Sequence, residues 1–242
     1  MKFSLCIPAY NEAALLPRLL DSVAVARDRY PGGADAIEVI VGDNRSTDAT
    51  AAIAAARGCT VVPVEKRAIA AARNGAGRAA RGEYVCFIDA DSIVHPDTFA
   101  QIEAVMKTGR CVVGATGVHM ERMSAGIWAT LMIMLPLSYL FGMDTGVVFC
   151  RRNDFLAVGG YREELLAAED VDFLFRLKRL GRSRGQDFRR TRHARAITST
   201  RKFDRHGDWH YLTQMSTLPF RMLFAKASAE RSIRGYWYDD RA

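Results

Sequence analysis

The 242-residue chain has little cysteine, and what it has is scattered. Cys6, Cys59, Cys86, Cys111 and Cys150 are odd in number and far apart, with no C-x-x-C pair. That excludes a disulfide-stapled minidomain and offers no spacing for structural zinc or a redox dithiol. The five read as reduced thiols of a cytosolic protein. Glycine-rich phosphate loops are also missing: nothing matches G-x-x-x-x-G-K-[ST], or G-x-G-x-x-G after the first strand. A bound diphosphate would therefore need a metal or basic side chains to neutralise it. Zinc-finger spacings and interleaved aromatic and basic motifs are absent, so no nucleic acid is expected as a partner. The apolar run at Phe3–Ile7 ends at Pro8, too short for a secretory segment. Without an internal repeat or low-complexity linker, residues 1–242 read as one domain.

What is present is an ordinary globular composition, 49% hydrophobic and 25% charged, with a net charge of +7. The charge is uneven. Residues 1–175 carry 17 basic and 21 acidic side chains, whereas 176–242 carry 17 basic and 6 acidic. An acidic front and a basic tail suit a cation site in one part and an anionic partner for the other.

Apolar β-branched runs alternate with Ala- and Leu-rich stretches of helical period through the first half, which predicts a wound, mostly parallel sheet flanked by helices. Strands are expected at Phe3–Ile7, Ala36–Val41, Cys59–Val64 and Glu83–Ile88. The first helix should start at Asn11 or Glu12. Ser46 or Thr47 is expected to cap the second, and the third should run from Arg67 to Ala80, interrupted by Gly75 and Gly77. Pro96 suits the first turn of a fourth. Farther on, Cys111–Val118 and Gly146–Cys150 read as strands, Asn153 as the cap of a short helix, and Glu169–Leu180 as a helix closed by Gly181.

In such sheets ligands bind beyond the carboxyl ends of the strands. Asn11-Glu12, Asp43, and Asp89 with Asp91 follow strands one, two and four, so they should converge on one crevice. Asp89-Ala90-Asp91 offers two hard carboxylates that can hold a divalent cation while leaving positions for phosphate oxygens. Glu169-Asp170 opens a helix, where negative charge suits the macrodipole and proximity raises both pKa values.

Taken in order, Ile7-Pro8-Ala9-Tyr10-Asn11-Glu12, Val41-Gly42-Asp43-Asn44-Arg45-Ser46-Thr47-Asp48, Ala72-Arg73-Asn74, Phe87-Ile88-Asp89-Ala90-Asp91, Gly159-Gly160-Tyr161 and Glu169-Asp170 resemble the landmarks of the family 2 inverting glycosyltransferases over about residues 3–181. The resemblance implies a GT-A fold with a nucleotide-sugar half (about 1–118), an acceptor and catalytic-base half (about 119–205) and a basic tail (about 206–242). By the same resemblance, Pro8, Tyr10 and Glu12 frame the nucleoside and Asp43 bonds the base or ribose. Arg73 and Asp89 contact the donor, Asp91 holds Mg²⁺ or Mn²⁺, and Asp170 beside Glu169 is the catalytic base. His193, in a basic run, is a candidate third metal ligand or diphosphate contact. The implied partners are a nucleoside-diphosphate sugar, with a UDP-sugar favoured, and an acceptor such as a lipid-linked or cell-envelope glycan.

Two other functions fit parts of this pattern. A sugar nucleotidyltransferase also uses a wound sheet and metal-binding aspartates, but resembles chains with a Gly-rich loop after strand one. A non-catalytic nucleotide- or nucleic-acid-binding module would rely on the basic tail. Met123–Met143 has no charged residue and 15 apolar ones among 21, long enough to span a bilayer. A single crossing would put Asp91 and Asp170 on opposite sides. The stretch is therefore expected to pack in the core, against a second copy in a homodimer, or at the inner face of the cytoplasmic membrane as a peripheral contact.

Overall fold

The computed structural model describes residues 1–140, 144–165 and 168–212, the side chains of Leu135 and of 137–140 excepted. Residues 213–242, most of the expected basic tail, and the end of the 123–143 stretch lie outside the described residues. In chain order, β1 (Phe3–Ala9), α1 (Leu16–Arg29), β2 (Ile37–Asp43), α2 (Thr50–Ala56), β3 (Thr60–Pro63), α3 (Ile69–Ala79) and β4 (Tyr84–Phe87) alternate as expected. They are followed by β5 (Ser92–Ile93), α4 (Thr98–Lys107), β6 (Cys111–Ala115), β7 (Val118–Met120) and α5 (Ala125–Leu140). Then come β8 (Val148–Arg151), α6 (Arg152–Ala157), α7 (Glu169–Arg182), β9 (Asp187–Arg190), β10 (Ala196–Thr198) and α8 (Arg201–His206).

These elements group into two compact units, one of residues 1–119 with 143–198 and one of 120–142 with 199–242. The first unit is built on a seven-stranded sheet of order β3-β2-β1-β4-β8-β6-β9. Strands β1 to β4 are mutually parallel, β8 runs antiparallel to both its neighbours, and β6 and β9 are again parallel. Both faces of this sheet are covered, and the strands show it. On β1, Phe3, Leu5 and Ile7 pack with Leu16, Leu19 and Ile102 of α1 and α4, while Cys6 faces Ala70, Phe155 and Leu177 on the other side. Burial on both faces is why these strands read as unbroken apolar runs rather than alternating ones. All five cysteines are free thiols, Cys6, Cys86, Cys111 and Cys150 fully buried, and burial pushes the Cys111 thiol up to about 12.

Several local expectations are corrected. The chain turns through Ala13–Leu15 before α1 starts at Leu16. Helix α2 has neither Ser46 nor Thr47 as its cap: the Thr50 N–H donates to Asp48 Oδ1, and Ser46 and Thr47 bond across to Asn11 instead. Pro96 stands in a turn one residue before the Asp97 cap position, and Asn153 lies inside α6 rather than at its start. Cys111–Val118 is two strands, broken at Thr116-Gly117, where Gly117 has φ +74°. Helix α3 runs straight through Gly75 and Gly77 because the missing side chains let it press onto Val64 and Phe155; a Cβ at either site would stand 2.6 Å from them. Gly181 likewise lies inside α7, against Val112.

In the second unit, Arg122 forms ion pairs with Asp204 and Asp208. Helix α5 contains Pro136, buries Ile127 and Thr130, and exposes Met123 just before it and Trp128, Met132 and Ile133 on it. Among the described residues no helix is long and apolar enough to cross a membrane.

One contact sets the height of the whole ligand edge. A Cβ on Gly42 would lie 2.3 Å from the Ala72 carbonyl oxygen, so only glycine lets α3 sit directly on β2. Because a backbone carbonyl cannot swing aside, Gly42→Ala should destabilise the fold by about 3 kcal/mol, the upper range of overpacking costs. Urea unfolding checks this; a change below about 0.5 kcal/mol would mean that α3 shifts freely.

Candidate functional site

The carboxyl ends of β1, β2 and β4 lie side by side, with Ala9 opposite Asp43 in the β1–β2 register. Beyond them the loops are laced together. Asn11 adopts a left-handed conformation (φ 50°), and its Oδ1 accepts from the Thr47 N–H at 2.8 Å, while its own N–H donates to Ser46 Oγ at 3.0 Å. The Glu12 N–H donates to Thr50 Oγ1 (2.8 Å) and the Ala13 N–H to Asp48 Oδ2 (3.0 Å). Burial works to raise the Asp48 pKa, but these backbone and hydroxyl donors outweigh it and hold the carboxyl below its ordinary value. Six residues of two loops, with Thr50 at the start of α2, thus form one hydrogen-bonded rim.

On this rim Pro8 and Glu12 are buried, and Tyr10 is half-buried. The Arg67 guanidinium lies 4.4 Å from the Tyr10 ring centroid and donates to its hydroxyl at 2.7 Å. Asp43 ends β2 with its Oδ1 buried and without a hydrogen-bond partner among the described residues. An orphaned carboxylate oxygen is costly unless something donates to it. Its neighbour Asn44 is spent structurally, donating to the Val64 and Lys66 carbonyls.

The centre of the site is Arg73, on α3. Its Nη2 donates to Asp89 Oδ1 at 2.9 Å and its Nη1 to Glu169 Oε1 at 2.7 Å, and its guanidinium lies 5.3 Å from the Tyr161 ring centroid. The side chains of Arg73 and Glu169 are only 12% and 10% exposed, whereas that of Asp89 is 52% exposed. Burial is the largest influence on Glu169 and raises its pKa, with Asp170 adding repulsion and Arg73 opposing both. The expected mutual elevation of a carboxylate pair is therefore chiefly burial at Glu169. The helix carrying the pair begins after Ala168, held at φ 59°, and its first turn holds Glu169, Asp170 and Asp172. Asp170 Oδ1 accepts from the Val171 N–H at 2.8 Å.

Asn74, next to Arg73, holds the loop that brings Tyr161 beneath the guanidinium. Its Oδ1 accepts from the Tyr161 N–H, and its Nδ2 donates to the Tyr161 carbonyl and to Glu163 Oε1, each at 2.8 Å. Gly160 (φ +72°) makes this possible, since a Cβ there would meet Asn74 Oδ1 at 2.4 Å. Tyr161 then stacks on Phe173 of α7 with centroids 4.1 Å apart. Sequence reasoning quoted Asn74, Gly160 and Tyr161 as landmarks without giving them this work, and it missed Glu163 and Arg67, which carry no periodic or motif signal.

Asp91 follows Asp89 across the turn into β5 and is half-buried. His193 is exposed. In the β5–β10 pair Ile197 faces Ile93 and Thr198 faces Ser92, so the antiparallel chain nears Asp91 at its Thr198 end and His193 lies on the receding side. Among the described residues no three His, Cys, Asp or Glu side chains come together as a metal-binding group.

Residues 4–160 match the family described as Glycosyl transferase family 2. The match includes every landmark up to Gly160 and stops before Glu169-Asp170. No curated protein matches the chain. Solved structures show the same fold at low identity. TarS of S. aureus in complex with UDP superposes with a TM-score of 0.63 at 22% identity, covering 83% of this chain and 61% of that one. The mannosyltransferase PcManGT of Pyrobaculum calidifontis, in complex with GDP-Man and Mn²⁺, gives 0.63 at 21% identity over 81% and 56%. Glucosyl-3-phosphoglycerate synthase of Mycobacterium tuberculosis, in complex with Mn²⁺, UDP and glucosyl-3-phosphoglycerate, gives 0.57 at 22% identity over 85% and 75%. The matched TarS chains and PcManGT are longer, this chain spanning 35% to 61% of their length. The wound sheet with its ordered rim is thus the GT-A architecture, and the chain belongs to glycosyl transferase family 2.

Proposed function

We propose that the chain transfers a sugar from a nucleoside-diphosphate sugar to an acceptor hydroxyl with inversion at the anomeric carbon. The observation that carries this reading is the double ion pair of Arg73, which ties the donor-side carboxylate Asp89 to the helix that presents Asp170. In this reading the rim of Pro8, Tyr10 and Glu12 frames the nucleoside, and the partnerless Asp43 Oδ1 accepts from its base or ribose. A UDP-sugar is the favoured donor; the TarS structures are complexes with UDP and UDP-GlcNAc, while PcManGT is a complex with GDP-Man.

A divalent ion fits the donor chemistry of Asp89 and Asp91, hard carboxylates with no soft ligand beside them. Asp91 would hold it, since one Asp89 oxygen is engaged by Arg73. When bound, Mg²⁺ or Mn²⁺ would neutralise charge on the departing diphosphate. The register of β10 does not favour His193 as a further ligand, and the proposal leaves it out.

Asp170 accepts the proton of the attacking hydroxyl as the new glycosidic bond forms and the bond to the diphosphate breaks. Glu169 differs from it in being bonded to Arg73, which leaves Asp170 as the base. Trp128, Met132 and Ile133, exposed on α5, favour a lipid-linked acceptor or one at a membrane surface over a small soluble one.

Asp170→Asn should retain donor binding and lose about 10²- to 10⁴-fold in transfer, the usual contribution of a general base. Calorimetry with UDP and Mn²⁺ beside a donor-turnover assay over UDP-, GDP- and dTDP-sugars checks it, and near-normal turnover would remove Asp170 from the role.

Arg73→Met keeps the packing stem but leaves Glu169 buried and unpaired, and should cost about 3 kcal/mol at pH 7. Because the Glu169 pKa is raised in the fold, the variant should approach wild-type stability below the ordinary glutamate value, at about pH 3, where the carboxyl is protonated in both states. It should lose stability as pH rises through the folded value. Adding Glu169→Gln should restore most of the loss at pH 7. Thermal melts at several pH values check this, and a loss independent of pH would contradict it.

A further inference from the structure

The far edge of the sheet carries a feature that the transfer reaction does not use. An open groove of about 500 Å³ is lined by Arg110, Arg189, Arg190 and Arg192 together with Val105 and Thr108 of the α4 end. Arg189 and Arg190 belong to the edge strand β9, and Arg110 directly precedes β6, the strand on which β9 pairs. The register sets Arg189 opposite Gly114, where a Cβ would stand 2.5 Å from the Arg189 carbonyl oxygen, so the glycine lets β9 lie close on β6.

What distinguishes this cluster is that four arginines line one groove with a counter-charge on one of them. Arg190 forms an ion pair with Asp144 at 2.7 Å. Among the described residues no carboxylate pairs with Arg110, Arg189 or Arg192. Arg73, Arg81, Arg122, Arg176 and Arg184 each have a carboxylate within 3 Å, whereas other arginines without one among the described residues, such as Arg45 and Arg179, do not line this groove. Three unpaired guanidiniums around one groove repel one another, and the partial negative charge at the α4 C-terminus offsets only about half a unit charge. Edge protection alone would need charged side chains on β9, but it would not need Arg110, from the segment before β6, on the same groove.

We infer that this groove binds a phosphate-bearing anion, carried by a soluble phosphorylated compound or by a phospholipid headgroup, at a site separate from the donor rim. Guanidiniums suit this ligand because their planar forks donate in pairs to phosphate oxygens. The volume exceeds one inorganic phosphate and lies within the range of small-molecule sites, which favours a diphosphate or a phosphorylated sugar or headgroup.

The test uses the full chain in metal-free buffer with two probes, inorganic pyrophosphate by calorimetry and phosphatidylglycerol vesicles by sedimentation, phosphatidylcholine vesicles serving as the neutral control. Wild type should bind at least one probe, more weakly as salt rises, and R189E/R192E should lose at least tenfold in affinity, the scale of a single charged hydrogen bond. Arg110→Glu, on a different strand, should move affinity the same way and decides the matter if the double variant does not fold. Binding of pyrophosphate alone identifies a soluble ligand, and binding of anionic vesicles alone a headgroup. Failure of both probes, equal binding by wild type and the variants, or tighter binding to a random DNA duplex than to either probe would overturn the inference. None of these results touches the Asp170 assignment, which rests on donor turnover.

Discussion

A guanidinium that is nearly closed off from water must be met by negative charge, and Arg73 is met from two directions. Asp89 reaches it from the end of β4 and Glu169 from the start of α7. These two carboxylates are 80 positions apart in the chain, so the ion pair is a tertiary constraint that ties the loop after β4 to the start of α7. Its low exposure makes the arrangement demanding: desolvation is repaid only with good geometry and further contacts. Tyr161 supplies those contacts, giving the guanidinium an aromatic surface and stacking in turn on Phe173 of α7. Asn74 then fixes Tyr161 through its backbone.

The same arrangement divides labour between two adjacent carboxylates. Glu169 is committed to the cation, and burial makes its protonation state sensitive to that commitment. Asp170 accepts from the Val171 N–H of its own helix turn. A helix start with Glu169 anchored to Arg73 holds the adjacent Asp170 in a reproducible place, as the proposed role of Asp170 requires. Ala168, held at positive φ before that start, is a strained residue of the kind that persists only where surrounding contacts over-determine it.

Much of this was legible in the residues themselves. Apolar β-branched runs such as Phe3–Ile7 read as strands of a wound sheet, and polar residues just past three of them mark the ligand edge. The strand order 3-2-1-4 reverses direction after β3, and with the reversal α3 packs on the face opposite to α1 and α2, as crossovers of one hand require. What could not be read was chemistry that depends on contact. Gly75, Gly77 and Gly181 look like helix breakers by propensity, but they are packing sites, because the gain from close approach to Val64, Phe155 and Val112 exceeds about 1 kcal/mol of helix propensity each. Ser46 and Thr47 look like caps, yet a neighbouring loop competed for their hydrogen bonds and won. The pairing of Arg73 with Glu169 has no signal in spacing at all.

The central claim is direct displacement at the anomeric carbon, and stereochemistry reports on it without knowledge of the acceptor. An α-linked nucleoside-diphosphate sugar should be hydrolysed slowly by the enzyme with Mn²⁺, water standing in for the acceptor. Proton NMR taken before mutarotation should show the β-anomer of the free sugar appearing first. Initial release of the α-anomer would contradict displacement by a single base-assisted attack.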